Sequence, residues 1–259
     1  ERISFTRDVW HDRWKSEEKF SHRKQISGLA PITGDKVRRV IRHLSDNKAK
    51  GKDAWTIPEL RALNRSDTDA LAQFLNNVEK ERRWPRNFPG PIIALLDKPS
   101  ALDEGELRPI AILPYIYRIW MAVRKADTRE WTKNMHDGAF ESAESHAWNL
   151  AVKAELARHE GKVFMAAFLD CVKCYEVLEH QLAYDATLAE GCDPAIADLS
   201  FDMYRKTRTV QVHGAVTEPI QPEMGVLAVC GIAVHHLKAS VNHRLNFPAP
   251  KDYVDDLTF

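Results

Sequence analysis

The sequence predicts an α+β fold, with a largely helical first half followed by short strands that alternate with helices. Three observations lead to this prediction. Apolar residues recur at helical intervals before residue 85, and two short apolar stretches at 91–99 and 106–114 have the composition of strands. From residue 163 the predicted order is strand, helices, strand pair, helix and strand, which is most of a split βαβ unit.

Two segments of the first 85 residues are predicted to be helices. Apolar residues recur on one face of DKVRRVIRHL, which begins at Asp35, and the basic segment NKAKGKD after it is typical of a turn. The second helix lies in SDTDALAQFLNNVEKERRWP, where Ser66 and Asp69 have the spacing of a capping box. We expect Pro85 to end this second helix.

A change to strand patterning follows. PIIALLDKP and ELRPIAILP are separated by the polar segment SALDEGE, and together they predict a β-hairpin. Residues 115–158 return to helical patterning. The dense apolar run VFMAAFLD, which begins at Val163, then predicts a strand that is buried on both faces and ends at Asp170.

The last ninety residues predict helices, a strand pair and a final strand. The helices are interrupted at GCDP, residues 191–194, and RTVQVHG and AVTEPIQ follow as two strand-like stretches. VLAVCGIAVHHLKASVNHRL is an apolar helix candidate, and the chain closes with KDYVDDLTF. In a split βαβ arrangement, the strand that ends at Asp170 and the YVDD strand can be neighbours in one antiparallel sheet.

Composition excludes few classes of function. Lys plus Arg and Asp plus Glu number 37 each, so net charge gives no argument for a polyanionic partner. Residues 1–50 hold 13 Lys or Arg against 7 Asp or Glu, a surplus that fits either phosphate contacts or a solvated helical face. No apolar run is long enough for a membrane span, and the charged, aromatic N-terminus has no signal-peptide core.

The cysteines indicate a reducing environment. Cys171, Cys174, Cys192 and Cys230 are too few and too unevenly spaced for a disulfide framework. The C-x-x-C formed by the first two has no second pair to complete a zinc site. We therefore expect an intracellular protein of the nucleus or cytoplasm that is not secreted.

Two adjacent carboxylates, Asp255 and Asp256, interrupt the strand-forming residues of the closing stretch, where aspartate is disfavoured. Such local conflicts tend to mark functional sites. If this strand lies beside the strand of Asp170, the three carboxylates converge, and they stay ionised only if divalent cations neutralise them. Oxygen-only ligands favour Mg²⁺ or Mn²⁺ over zinc, and two such ions suit an in-line phosphoryl displacement. The alternative is an ordinary surface turn.

These residues resemble a known family. FLDCVKCYE, and YVDD about eighty residues later, look like motifs A and C of reverse transcriptases, most like those of non-LTR retrotransposons and their group II intron relatives. The resemblance continues upstream, in the family's order, through NKAKGKDAW, WPRNFPGPIIALLDKP and LRPIAILPYIYRIW. It covers roughly residues 35–259.

The resemblance implies the fingers and palm of a right-hand polymerase. Residues 1–34 would be an N-terminal extension, 35–160 the fingers with the strand hairpin at 91–114, and 161–259 the palm. The palm of this family is a split βαβ, ferredoxin-like antiparallel sheet with helices on one face. The chain stops three residues after the second aspartate of YVDD, so the thumb is expected to be absent and to belong, with flanking domains, to a longer protein.

The resemblance also assigns catalytic residues and a cofactor. Asp170, Asp255 and Asp256 would be the catalytic, metal-binding carboxylates of the palm, with Mg²⁺ as the cofactor and Mn²⁺ as a substitute. The implied reaction is RNA-directed DNA synthesis by nucleotidyl transfer. Its partners would be an RNA template, a DNA primer and deoxynucleoside triphosphates, with no membrane involved.

Four further residues would bind substrate. Lys98 and Arg108 match the basic residues of the fingers hairpin that hold the incoming triphosphate, although a plain solvated hairpin explains them too. Tyr175 matches the aromatic gate that clashes with a ribose 2′ hydroxyl, or else a core aromatic. Gly225 lies in QPEMGVLA, which corresponds to motif B but has Met224 at the position where the family usually has glutamine.

Two alternatives remain beside a reverse transcriptase. An RNA-templated RNA polymerase has a palm with the same acidic geometry, and Tyr175 argues against it, since such an enzyme must accept the 2′ hydroxyl. A catalytically inactive reverse-transcriptase remnant that acts as an RNA-binding scaffold fits the altered motif B and the neutral net charge.

Overall fold

The computed structural model describes residues 2–99, 105–132, 143–166, 168–170, 172–245, 251–253 and 256–258. Within these ranges the chain forms helices and two β-sheets, which confirms the α+β prediction. The helices are α1 Arg2–Arg13, α2 Gly34–Arg42, α3 Ile57–Ala62, α4 Arg65–Glu81, α5 Tyr115–Thr132, α6 Ala143–His159, α7 His180–Ala189, α8 Pro194–Tyr204 and α9 Ala233–Leu245. The strands are β1 Ile92–Leu96, β2 Arg108–Ile112, β3 Phe168–Asp170, β4 Thr209–Val212, β5 Ala215–Val216, β6 Lys251–Tyr253 and β7 Asp256–Thr258.

The larger sheet has the strand order β2-β1-β4-β5. β1 and β2 form the predicted antiparallel hairpin, and β4 and β5 form the second predicted strand pair. β1 also pairs with β4 in parallel, because Val210 and Val212 of β4 are buried beside it. The split βαβ prediction is wrong on this point, because it would place β4 and β5 in one sheet with β3.

The smaller sheet has the order β3-β7-β6, with both pairings antiparallel. The strand that ends at Asp170 lies in one antiparallel sheet with both strands of the YVDD region, as predicted. Its direct neighbour is β7, which begins at the second aspartate of YVDD, and not β6, which holds the tyrosine. The predicted strand from Val163, buried on both faces, is wrong over its first residues. Val163 and Met165 are 88% and 83% exposed, because the pairing with β7 begins only at Phe168.

Aromatic side chains form much of the core. Trp84 stacks on Phe88 with ring centroids 4.4 Å apart and meets Trp120 edge to face at 5.7 Å. Such pairs contribute about 0.5 to 1.5 kcal/mol beyond the burial of their area. The N-terminal segment belongs to the same core, since Trp10 and Trp14 are fully buried. Residues 1–34, predicted to be an extension, are therefore packed against the rest of the chain through both tryptophans.

Helix ends follow local hydrogen bonds. The helix predicted from Ser66 begins instead at Arg65, and its capping box is formed by Asn64 and Asp67, not by Ser66 and Asp69. The asparagine is the first residue upstream whose side chain reaches the free amide of the third helical residue. The helix therefore starts one residue before the predicted cap.

The helix expected from residue 226 begins only at Ala233. The preceding residues are held outside the helix, because Gly225 has a φ of +85° and the amide of Val226 donates to the carbonyl of Tyr175 at 2.8 Å. Among the described cysteines, Cys174, Cys192 and Cys230 are buried and form no disulfide bond. Cys171 lies outside the described residues.

Candidate functional site

The backbone of the smaller sheet sets two acidic residues opposite each other. Asp170 of β3 is the register partner of Asp256 of β7, which is also the partner of Tyr253 in β6. Cα atoms of directly opposed residues in antiparallel strands lie roughly 4.5 to 5.5 Å apart. Like charges at such positions are destabilising. Two of the three predicted catalytic aspartates therefore share one register position, and the third, Asp255, lies outside the described residues.

The metal-binding prediction concerns these aspartates alone. Among the side chains that the structure describes, no group of three or more histidines, cysteines or carboxylates is arranged to hold a metal ion. The side chains of Asp170, Asp255 and Asp256 are not among those described. The fit of these residues to a metal ion therefore follows from their chemistry. All three are carboxylates, two of them are in register, and hard oxygen ligands of this kind suit Mg²⁺.

The two predicted triphosphate ligands lie at one end of the β1–β2 hairpin. Arg108 opens β2 and is the register partner of Leu96, and Lys98 follows that leucine by two residues. Both cationic side chains are exposed. The hairpin thus presents two cations on the same end, which suits the binding of a polyanion.

The same end of the hairpin contacts the turn that follows β3. The ammonium of Lys173 donates hydrogen bonds to the carbonyl oxygens of Glu106 at 3.2 Å and Leu107 at 2.9 Å. Burial lowers the pKa of Lys173, and the nearby charges of Arg13 and Lys98 lower it further. The hairpin cations therefore lie close to the residues that follow Asp170.

One face of the larger sheet is open next to these cations. Leu96, Ile110 and Val216 are between 39% and 54% exposed. Register places the first two on the same face as Arg108, and Val216 joins that face through its pairing with Gln211. The opposite face carries the buried apolar residues of β1 and β4. The exposed part of this face is available for contact with an extended ligand.

Tyr175 and Gly225 lie on two segments that run side by side. The amide of Gly225 donates to the carbonyl of Leu178 at 2.8 Å, next to the bond between Val226 and Tyr175. A bridge between Glu179 and Met224 extends this pairing. Tyr175 is partly buried and packs against the core. The predicted gate residue and the predicted motif B glycine are thus connected through the backbone.

Gly225 is required at its position for steric reasons. Its positive φ suits glycine, and a Cβ atom added there would lie 2.7 Å from the carbonyl oxygen of Glu176. Any larger residue would push the segment around Gly225 away from the segment around Glu176. This explains the glycine of QPEMGVLA without reference to a substrate.

Three buried residues beside these segments were missed by sequence reasoning. Trp14 donates from Nε1 to Oε2 of Glu176 at 3.0 Å, and the guanidinium of Arg208 lies 4.4 Å from the centre of the Trp14 ring. Arg208 donates to the carbonyl oxygens of Tyr204 at 3.1 Å and of Gly225. We call Trp14, Glu176 and Arg208 the indole cluster. Its members are far apart in the sequence, so no spacing pattern connects them.

Burial changes the acid–base properties of this cluster. It raises the pKa of Glu176, an effect that the charge of Arg208 opposes, and it lowers the pKa of Arg208 to about 10. His180 donates from Nε2 to the carbonyl of Gly225 at 3.0 Å, and burial together with Arg208 lowers the pKa of this imidazole to about 3. At neutral pH a neutral imidazole, that of His180, therefore lies beside the buried arginine of the cluster.

The function of this site has to be inferred from its own residues. No protein-family model matches this chain, and no curated protein matches it. Among the helices that the structure describes, none has the length and apolar character needed to cross a membrane. A function can be inferred from three features of the described residues: the register of the two aspartates, the hairpin cations, and the paired segments at 175–179 and 224–226.

Proposed function

We propose that this chain is the fingers and palm portion of a reverse transcriptase, which synthesises DNA on an RNA template by nucleotidyl transfer. The observation that carries the proposal is the register of Asp170 with Asp256 on adjacent antiparallel strands. Residues about eighty positions apart in the sequence are brought to one end of a small sheet, where β3 ends and β7 begins. A polymerase palm requires that convergence, whereas an ordinary surface hairpin does not.

Asp170, Asp255 and Asp256 would hold Mg²⁺, with Mn²⁺ as a substitute, since all three offer carboxylate oxygens. The bound ions would supply activation of the primer 3′ hydroxyl and stabilisation of the leaving pyrophosphate. The protein's own contribution is to fix two of these aspartates on paired strands before any ligand arrives. Such preorganisation avoids rearrangement at the moment of reaction.

The remaining site residues would bind the nucleic acid and the nucleotide. Lys98 and Arg108, both exposed at one end of the hairpin, would pair with the triphosphate of an incoming deoxynucleotide. Tyr175 would restrict the space next to its ribose. The open face of the larger sheet, on the same side as Arg108, would contact the RNA template paired with a DNA primer. In this proposal β1 and β2 belong to the fingers, residues 35–160, and β3 to β7 belong to the palm, residues 161–259.

Primer extension on an RNA template with Mg²⁺ tests the proposal, with the unsubstituted chain run beside Asp255→Asn. We expect the substitution to reduce synthesis by at least about a hundredfold, because outer-shell partners of metal ligands alone contribute roughly 10- to 100-fold. The matched control is Asp252→Asn. It makes the same chemical change in β6, at the register position opposite Leu257 and not at that of the acidic pair.

Equal synthesis by the chain and by Asp255→Asn would overturn the assignment of the aspartates. Salt-sensitive RNA binding without synthesis under any metal condition would favour the inactive scaffold. Synthesis that uses ribonucleotides as readily as deoxynucleotides would favour an RNA polymerase.

A further inference from the structure

We propose that the indole cluster, Trp14, Glu176 and Arg208, positions Tyr175 and the segment around Gly225, and thereby sets the preference for deoxynucleotides over ribonucleotides. This inference rests on the proposed function, because the preference has a meaning only in a polymerase. The three residues would be positioning residues, since they act through Tyr175 and do not touch the nucleotide.

Trp14 contacts both of the paired segments at once. Its indole Nε1 donates to Glu176, the residue that follows Tyr175. Its backbone carbonyl accepts from the amides of Glu223 at 2.8 Å and Met224 at 3.3 Å, which precede Gly225. A single residue just after α1 therefore holds the two segments at a fixed separation.

Arg208 completes the link from the other side. It is fully buried, lies over the Trp14 ring and donates to the carbonyl of Gly225. Among the described residues, its Nε and Nη1 atoms have no hydrogen-bond partner, so its position depends on the ring, on two carbonyls and on the charge of Glu176. A buried guanidinium with so few partners is sensitive to the loss of any one of them.

The segments leave little room for adjustment. The carbonyl of Glu176 lies so close to Gly225 that an added Cβ would approach it to 2.7 Å. The carbonyl of Tyr175 is fixed by the amide of Val226 at 2.8 Å. A shift of Glu176 toward or away from Trp14 must therefore move the Tyr175 backbone, because the two residues share a peptide bond.

Two tryptophan substitutions on the same segment test this role. Trp14→Phe removes the indole donor to Glu176 and keeps an aromatic ring beneath Arg208. Trp10→Phe is the matched control, because Trp10 is equally buried, lies 5.2 Å from the Trp14 ring, and has an Nε1 atom without a hydrogen-bond partner among the described residues. Both changes remove the same volume from the core.

The first measurement is hydrogen exchange of the amides at Gly225 and Val226. We expect about tenfold faster exchange in Trp14→Phe than in Trp10→Phe, in line with the loss of a hydrogen bond to a carboxylate. Equal exchange in the two variants would overturn the link between Trp14 and the paired segments. This readout needs no polymerase activity.

The second measurement is the ratio of kcat/KM for a deoxynucleotide to that for the matching ribonucleotide in primer extension. We expect this ratio to fall about tenfold in Trp14→Phe and to stay unchanged in Trp10→Phe. A general loss of stability would lower both rates together and leave the ratio as it was, which would overturn the positioning role. Absence of synthesis by the unsubstituted chain would overturn the proposed function itself, while the exchange measurement still decides whether the cluster holds the two segments.

Discussion

The indole cluster buries opposite charges, Glu176 and Arg208, whereas the pairing of β3 with β7 sets two like charges, Asp170 and Asp256, opposite each other. In the first region the chain supplies both signs, so each charge offsets part of the cost of burying the other. In the second, the backbone register leads us to expect repulsion between the two carboxylates, which a bound cation would relieve. We therefore expect the first region to maintain the fold by itself and the second to depend on a bound cation.

The largest effect should come from removing the negative charge of the buried pair. We expect Glu176→Leu to lower the free energy of unfolding by about 3 to 5 kcal/mol, because the fully buried guanidinium of Arg208 is left without its counter-charge. Urea unfolding followed by circular dichroism measures the change.

The double variant Glu176→Leu with Arg208→Met is the matched control for this prediction. Since it removes both charges and keeps side chains of similar volume, we expect it to recover most of the lost stability. A loss below about 1 kcal/mol in the single variant would mean that the two charges do not depend on each other. The contrast between this cluster and the acidic pair would then be wrong.

A smaller effect should appear when Mg²⁺ is added, because the ion would relieve the repulsion between Asp170 and Asp256. A ligand that binds only the folded state at a concentration 100 times its Kd stabilises it by about 2.7 kcal/mol. For a chain of this size that corresponds to a rise in Tm of roughly 5 to 10 °C. Thermal unfolding with and without MgCl₂ measures the rise.

The Mg²⁺ response can be assigned to the acidic pair with two substitutions in the same hairpin. We expect Asp256→Asn to remove the response and Asp252→Asn to keep it, because only the former is in register with Asp170. A response of equal size in both variants would place the ion elsewhere.

The smallest expected effect is the pH dependence of the unfolding free energy that comes from His180, which lies beside the indole cluster. The folded pKa of His180 is about 3, below its ordinary value near 6.5, so the unfolded chain binds a proton below pH 6.5 that the folded chain does not. The stability contributed by the neutral imidazole is therefore present above pH 6.5 and is lost as the pH falls toward 3. The expected loss is about 1.4 kcal/mol per pH unit for this histidine.

Substitution of His180 by Gln isolates this contribution, because a glutamine amide can still donate toward the carbonyl of Gly225. Between pH 7 and pH 5 we expect the variant to lose about 2 kcal/mol less unfolding free energy than the unsubstituted chain. An unchanged slope in His180→Gln would show that the imidazole titrates normally.

Features with a local cause were predictable from the sequence. The apolar spacing of DKVRRVIRHL gave a helix, and the polar segment between PIIALLDKP and ELRPIAILP gave a hairpin, because periodicity and turn composition act over a few residues. The proximity of Asp170 to Asp256 followed from strand order, which limits how strands can pair.

Features with a long-range cause were not predictable. The parallel pairing of β4 with β1 and the late start of α9 depend on partners distant in the sequence, such as Tyr175 for the amide of Val226. The same holds for Trp14. From the sequence it is indistinguishable from any other core aromatic, because its hydrogen-bond partner Glu176 is 162 residues away along the chain. Exposed Val163 shows the converse, since a strand-forming composition without a paired neighbour leaves a residue in solvent.

The distance between Trp14 and Glu176 along the chain also governs how the protein is made. Synthesis proceeds from the N-terminus at about 5 to 20 residues per second, so the 162 residues that separate the two partners take roughly 8 to 32 s to emerge. For that interval Trp10 and Trp14 have left the ribosome without the core that covers them. Newly made chains should therefore depend on chaperone protection of the segment around Trp10 and Trp14, and misassembly during translation should concentrate at this segment.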